Sequence, residues 1–357
     1  MYCSIVTWVL PIFGLATCSI IPRANVIPSL SGSAVDLTAG TGGTYPRANV
    51  LSNGNILAAH TAFSNDNNVL TLTTSTNKGA GWSLTGTAAT RPSNSSDLDN
   101  PYPLQLPNGR VLLAFRNHDK DPSTGDYTFY RITISYSDDL GASWSYLSTP
   151  ASDPAGPNGN WEPFLRNAQD GSLQIYYSRE NSAADQDSLM RTSTDGGTTW
   201  SDATTISGQD TTDTRDGMIG VATVSGSNLI AVFEREQNGL FTVNSITSAD
   251  DGVTWANRQN VYTPTGTNNN AGAPQVINVG GTLAVSFMTD EDTQLHEWVT
   301  GAGAKLITSG NGGSSWDNKL EVFDPQANWP GMVDLDGSSF LFLADYGGAK
   351  SQKVIIS

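Results

Sequence analysis

The chain has 357 residues, 18 Lys and Arg against 34 Asp and Glu, a formal net charge of −16 and only 15% charged residues. A sparse, strongly acidic charge excludes a nucleic-acid-binding role, because phosphates would be repelled. Gly is abundant at 36, no long stretch has helical periodicity, and the three histidines (His60, His118, His296) form no HxxxH pair. The expectation is an all-β chain dense in turns, with no metal site and no cofactor.

In chain order, residues 5–15 are apolar and end at Ala16-Thr17-Cys18. The small residues Ala16 and Cys18 suit a signal peptidase, so residues 1–18 read as a signal peptide and 19–357 as one secreted, extracellular domain. Both cysteines, Cys3 and Cys18, lie in the leader, which leaves the remainder without a disulfide. No later apolar run is long enough to span a membrane. Asn94-Ser95-Ser96 is a glycosylation sequon. A monomer is expected.

From residue 45 onward a unit recurs: an apolar strand, a tight Gly-containing turn and a second apolar strand. Its copies cover residues 45–60, 100–118, 161–180, 215–236, 272–292 and 329–346. Their turns, such as Ser52-Asn53-Gly54 and Pro107-Asn108-Gly109, are hairpin turns. A polar turn ending in Trp follows each of the first five. It reads SDDLGASW at 137–144, STDGGTTW at 193–200 and SADDGVTW at 248–255, with looser copies at 75–82 and 309–316. One such turn about every 60 residues marks a radial array, and six hairpins predict a six-bladed β-propeller. Within a blade the hairpin supplies strands A and B, and the Trp turn joins C to D. The last unit lacks a fourth strand, so a segment around 34–38 is expected to close the ring and remove an open edge.

Strand direction places the working face. If A runs down from the top, the A–B and C–D turns lie at the bottom, and the B–C and D–A connections lie on top. The Trp turns then hold Asp, Ser and Thr for structural reasons: the Asp caps its turn and the Trp packs between sheets. The top face collects Arg47, Trp161, Glu162, Arg215, Asp216 and Trp329 where A begins. It collects His60, Arg116, Arg179, Glu180, Glu234 and Tyr346 where B ends. Phosphate-cradling loops and nucleophile elbows are missing from the sequence, so carboxylate chemistry is what remains. Two carboxyls across a sugar ring hydrolyse a glycosidic bond, one protonating the leaving oxygen and the other acting as nucleophile or activating water.

The SxDxGxTW turns resemble the Asp boxes of sialidase-like propellers, a motif shared by enzymes and non-enzymes. The sialidase Arg-Ile-Pro signature is replaced here by Tyr45-Pro46-Arg47-Ala48-Asn49. Asn160-Trp161-Glu162-Pro163-Phe164, Arg215-Asp216-Gly217-Met218 and Val232-Phe233-Glu234-Arg235-Glu236 resemble glycoside hydrolase family 93 across residues 19–357. That resemblance implies a retaining exo-enzyme releasing arabinobiose from linear α-1,5-L-arabinan, with catalytic Glu162 and Glu234. Glu162 is expected as nucleophile and Glu234 as acid/base. Asp216 is expected to bind a hydroxyl or tune the pair, Arg47, Arg116, Arg179, Arg215 and His60 to bind substrate, and Trp161, Trp329 and Tyr346 to stack on sugars. The alternatives are a sialidase-like enzyme on acidic sugars and a non-catalytic carbohydrate-binding propeller. Residues 117–127, 149–160 and 181–186 are the connections expected to decide exo against endo action.

Overall fold

The computed structural model describes residues 26–156, 159–293 and 297–357; the expected leader, 1–18, lies outside them. Every regular element among the described residues is a strand. After β1 (Pro28–Asp36) comes the meander β2 (Thr44–Val50), β3 (Ile56–Ser64), β4 (Asn67–Ser75) and β5 (Ser83–Pro92). A second follows: β6 (Ser96–Gln105), β7 (Val111–Lys120), β8 (Tyr127–Ser137) and β9 (Ser145–Pro154). Then come β10 (Asn160–Asn167), β11 (Leu173–Ser182), β12 (Asp185–Ser193) and β13 (Thr204–Ser207). The next run is β14 (Arg215–Ser225), β15 (Asn228–Gln237), β16 (Leu240–Ser248) and β17 (Ala256–Tyr262). One parallel pair, Gln186↔Arg215, links these two runs into an eight-stranded sheet. β18 (Ala271–Val279), β19 (Thr282–Thr289), β20 (Gly303–Ser309) and β21 (Asp317–Phe323) form a further sheet. The last holds β22 (Asn328–Asp334), β23 (Ser339–Asp345) and β24 (Ala349–Ile356), with β1 antiparallel to β24 as its fourth strand.

The sheets stand in a propeller arrangement. β2 packs beside β6 and β22, β6 beside β10, β10 beside β14, β14 beside β18, and β18 beside β22, so the first strands close a circuit. Second strands are covered on both faces by neighbouring sheets. They therefore need continuous apolar runs, and Val111-Leu112-Leu113-Ala114-Phe115 is buried throughout. The core lies between sheets: Leu112, Ala114 and Ile132 of one meander meet Leu165, Ile175 and Tyr177 of the next.

The Trp turns are closed by their own side chains. Ser137 Oγ donates to Asp139 Oδ1 and accepts from Gly141 N at 2.8 Å, and Asp139 also receives the N–H and hydroxyl of Ser143. Asp195 and Asp250 repeat the pattern with Thr199 and Thr254. Lys78, in one of these turns, pairs with Asp336 in the β22–β23 turn, and Arg110 of the β6–β7 turn pairs with Asp138. Hairpin turns and Trp turns therefore share one face, opposite the β3–β4 type of connection.

Candidate active site

Each first strand breaks register at the same place, with slips between Thr44/Arg47, Asp99/Tyr102, Trp161/Phe164, Gly217/Gly220, Gly272/Gln275 and Asn328/Gly331. Every slip contains a residue with positive φ: Tyr45 (54°), Asn100 (54°), Glu162 (38°), Met218 (53°), Ala273 (51°) or Trp329 (55°). Proline follows at Pro46, Pro101, Pro163, Pro274 and Pro330, with Ile219 the exception. Proline has no N–H to lose where the ladder is broken, and it bars the preceding residue from the right-handed α region. A left-handed non-Gly residue costs about 1–3 kcal/mol and persists only where its surroundings fix it. A bulge re-aims a side chain, and here Tyr45 and Trp329, from the first and last meanders, meet with ring centroids 5.9 Å apart. Glu162 occupies this bulge position on β10.

On the second strand, the residues paired with the position just before each bulge are Thr61, Arg116, Ser178, Glu234, Met288 and Asp345. Glu234 thus stands beside the bulge of its own sheet and reaches the next: its Oε2 accepts from the N–H of Ala273 at 2.7 Å. Ser178 makes the equivalent link one step earlier, its Oγ accepting from Met218 N at 3.1 Å while its hydroxyl engages Glu162.

Electrostatics tie the two glutamates together. Burial pushes Glu162 up to about 8; Glu234 and Glu180 push it the same way, and Arg116 and the Ser178 hydroxyl oppose them. Burial pushes Glu234 up to about 7 against the Ala273 N–H and Arg215. Near neutral pH the pair holds a proton that two ordinary carboxyls would have lost. Such a pair can donate a proton from one member and present charge from the other.

The surroundings sort the other expected site residues. Arg116 pairs with Asp97 and Asp99, lies over Trp161 at 5.2 Å, and leaves Nε buried and unpartnered. Trp161 packs edge-on to His118 at 4.9 Å beside Tyr127 and Tyr130, its Nε1 also unpartnered. Arg215 pairs with Glu180 and with Gln186 Oε1 at 2.9 Å. Arg47 lies 4.2 Å over the Tyr45 ring and donates to the carbonyls of Pro46 and Trp329. Trp329 reaches the axis, as its bulge requires.

Four residues lie elsewhere. Asp216 is fully buried on the opposite side of β14, held by Arg258 at 2.7 and 2.8 Å; burial raises its carboxyl and Arg258 opposes the rise. It balances a guanidinium and is not brought to the pair. His60 is fully buried at the register position that Phe115, Tyr177, Phe233 and Phe287 hold in other sheets, its Nε2 at 3.0 Å from Thr41 Oγ1. Burial pulls it down to about 4, so it is neutral and internal. Arg179 turns to Asn181, and Tyr346 packs on Phe323 with its hydroxyl on Asp324.

Sequence reasoning passed over Tyr45, Asp99, Ser178 and Trp298. Tyr45 feels Glu162, Asp99, Arg47 and Arg116, and burial raises its hydroxyl well above the usual range. The repeated X-Pro pair was a usable signal for it. Trp298 lies beside Glu234 at Gly272, where an added Cβ would meet both Glu234 Oε2 and the indole; no repeat marks it. Surface cavities of about 960 Å³ at Phe63, Asp66 and Asn94, and about 450 Å³ at Ile206, Trp255 and Arg258, involve neither glutamate.

No protein-family model and no curated protein sequence matches this chain. Solved structures do. An α-L-arabinofuranosidase of Fusarium graminearum, in complex with arabinobiose, superposes with a TM-score of 0.71 at 20% identity, over 91% of this chain and 98% of that one. An α-L-arabinanase of Penicillium chrysogenum, also complexed with arabinobiose, gives 0.70 at 19% identity, over 91% and 99%. The NanB sialidase of Streptococcus pneumoniae gives 0.61 at 12% identity, over 95% of this chain and 71% of that one. The fold is that of these propellers.

Proposed function

We propose that this chain is a secreted, retaining glycoside hydrolase that removes arabinobiose from the end of linear α-1,5-L-arabinan, using Glu162 and Glu234. The observation that carries the reading is the half-buried carboxyl pair, both members raised, Glu162 in a bulge and Glu234 paired with the residue that precedes one. The two neighbours solved with arabinobiose support the substrate class. In this reading the eight-stranded sheet is two blades, the ring has six, the Trp turns are Asp boxes, and the protein is monomeric.

Retaining hydrolysis needs the two carboxyls about 5–5.5 Å apart. One attacks the anomeric carbon while the other protonates the departing oxygen; water then displaces the enzyme from the sugar, activated by the carboxylate that the acid has become. Glu234 and Glu180 repel charge on Glu162, against the pull of Arg116 and Ser178, whereas the Ala273 N–H and Arg215 draw charge onto Glu234. That supports Glu162 as acid/base and Glu234 as nucleophile, the reverse of the roles expected from the sequence. Azide rescue discriminates them by product on a substrate with a good leaving group: the alanine variant of the acid/base gives a glycosyl azide of retained configuration, and that of the nucleophile gives one of inverted configuration.

Incubation with linear arabinan tests the function, and absence of released arabinobiose sinks it. The sialidase alternative is disfavoured by charge. Glu162, Glu180, Glu234, Asp97 and Asp99 surround Arg116 and Arg215, and both arginines already face carboxylates. A substrate carboxylate would be repelled, whereas a neutral furanose would not.

A further inference from the structure

The six bulge residues do not share one fate. Tyr45, Met218 and Ala273 form a buried apolar cluster with Met288 and Ala302, and Trp298, Val299 and Trp329 pack against it. Asn100 and Glu162 are the two bulge residues with an amide or carboxyl side chain, and Glu162 acts electrostatically on Tyr45 of that cluster. The material covering the others comes from one place, the connection between β19 and β20. Trp298, Val299 and Ala302 of this connection share one apolar cluster with the bulge residues of three other first strands, Tyr45 of β2, Met218 of β14 and Trp329 of β22.

This segment is fixed at several points. Asn328 Nδ2, on β22, donates to Val299 O at 2.6 Å, and Ala302 O accepts from Gln326 N and Ala327 N. Gly301 N closes onto Glu297 O at 2.7 Å. Where the connection leaves β19, the buried Glu291 carboxylate receives Tyr262, Lys305, Lys319 and the N–H of Thr265. Trp298 closes the near side. Its ring lies 5.4 Å from Phe241, and it shares with Glu234 Oε2 the space over Gly272, where any side chain would collide with both.

We infer that residues 297–302 are a fixed wall across the propeller axis, and that the Trp298 indole is the surface against which the terminal sugar of a neutral chain rests. A polysaccharide running past Glu162 and Glu234 would have to continue over Tyr45, Met218, Ala273 and Trp329, and that ground is filled. The groove is therefore a dead end on the Glu234 side, and a chain is admitted end first. The inference rests on the glycosidase reading above and supplies its specificity element.

Trp298→Ala and Trp298→Phe test it with three readouts: product length on linear arabinan, hydrolysis of dye-cross-linked arabinan, and carbodiimide labelling of Glu234 followed by mass spectrometry. The intact protein is expected to give one short product, little dye release and little labelling. Trp298→Ala should give a spread of product lengths, release dye, label Glu234 and lose about tenfold in kcat/KM for the short product. Trp298→Phe should restore the single product. An unchanged product series with unchanged labelling in Trp298→Ala overturns the wall. If the intact protein releases nothing from arabinan, the substrate reading fails by itself and the labelling comparison alone judges the wall: equal labelling of Glu234 in the two proteins overturns it.

Discussion

Asp139, Asp195 and Asp250 on one face of the ring, and Glu162 and Glu234 on the other, are carboxylic acids repeated by the same architecture, and their environments drive them in opposite directions. The three aspartates are exposed and saturated by donors from their own turns, which hold them down at about 2. The two glutamates are half-buried and near one another, and desolvation lifts them to about 8 and 7. An acid that never changes protonation between pH 4 and 9 can close a turn and can do no proton transfer. An acid poised near neutrality costs the fold stability and is available for chemistry. Recurrence of a reactive residue type therefore says little; how many donors its neighbours supply says more.

The sharpest way to break this contrast is to remove proton exchange from one face. Glu162→Gln and Glu234→Gln should each lower kcat/KM on arabinan by about 10²–10⁴-fold or more with unchanged circular dichroism. Full activity in both would remove the two glutamates from the catalytic machinery. Arg258→Ala should destabilise by about 3–5 kcal/mol in urea titration, because it strands the buried Asp216 charge, and should leave kcat/KM of the folded protein intact. A loss of activity without a loss of stability would return Asp216 to the catalytic machinery.

The pH dependence of kcat/KM should be bell-shaped, with its basic limb near about 8, where the pair loses its last proton. The same shift has a stability consequence. Raised folded-state values mean that the folded protein binds more protons than the unfolded chain, so this contribution is complete below the unfolded value of about 4.5 and is lost as pH rises through 7 to 8. Glu162→Gln should therefore raise Tm at pH 8 by about 2–4 °C, and by less at pH 5. The smallest effect is expected on the other face. Asp139→Ala should lower Tm modestly and leave both the pH profile and kcat/KM unchanged.

The periodic features were legible because they repeat: the hairpins, the Trp turns and the strand direction that sends Glu162 and Glu234 to one face. The features that were not legible depend on non-local partners. Nothing around Asp216 announces Arg258, which arrives from the outermost strand of the same run to neutralise it. His60 follows an apolar strand as Arg116 and Glu234 do, but falls one register position away and is buried between sheets. Tyr45 was readable in principle, since Tyr-Pro, Asn-Pro, Glu-Pro, Ala-Pro and Trp-Pro occur at one place in five strands. The φ values show why: each proline marks a bulge that turns the preceding side chain toward the axis.

The pairing of β1 with β24 brings Ile27 N to within 3.1 Å of Ser357 O. The ring is thus fastened at a seam on its outer rim, while the carboxyl pair lies on the far side in β10 and β15. A chain joined at that seam and opened instead at the Asn65-Asp66 turn would trace the same circle from a different starting point. Its pocket should be unaltered, because connectivity around the circumference and geometry at the axis are separable.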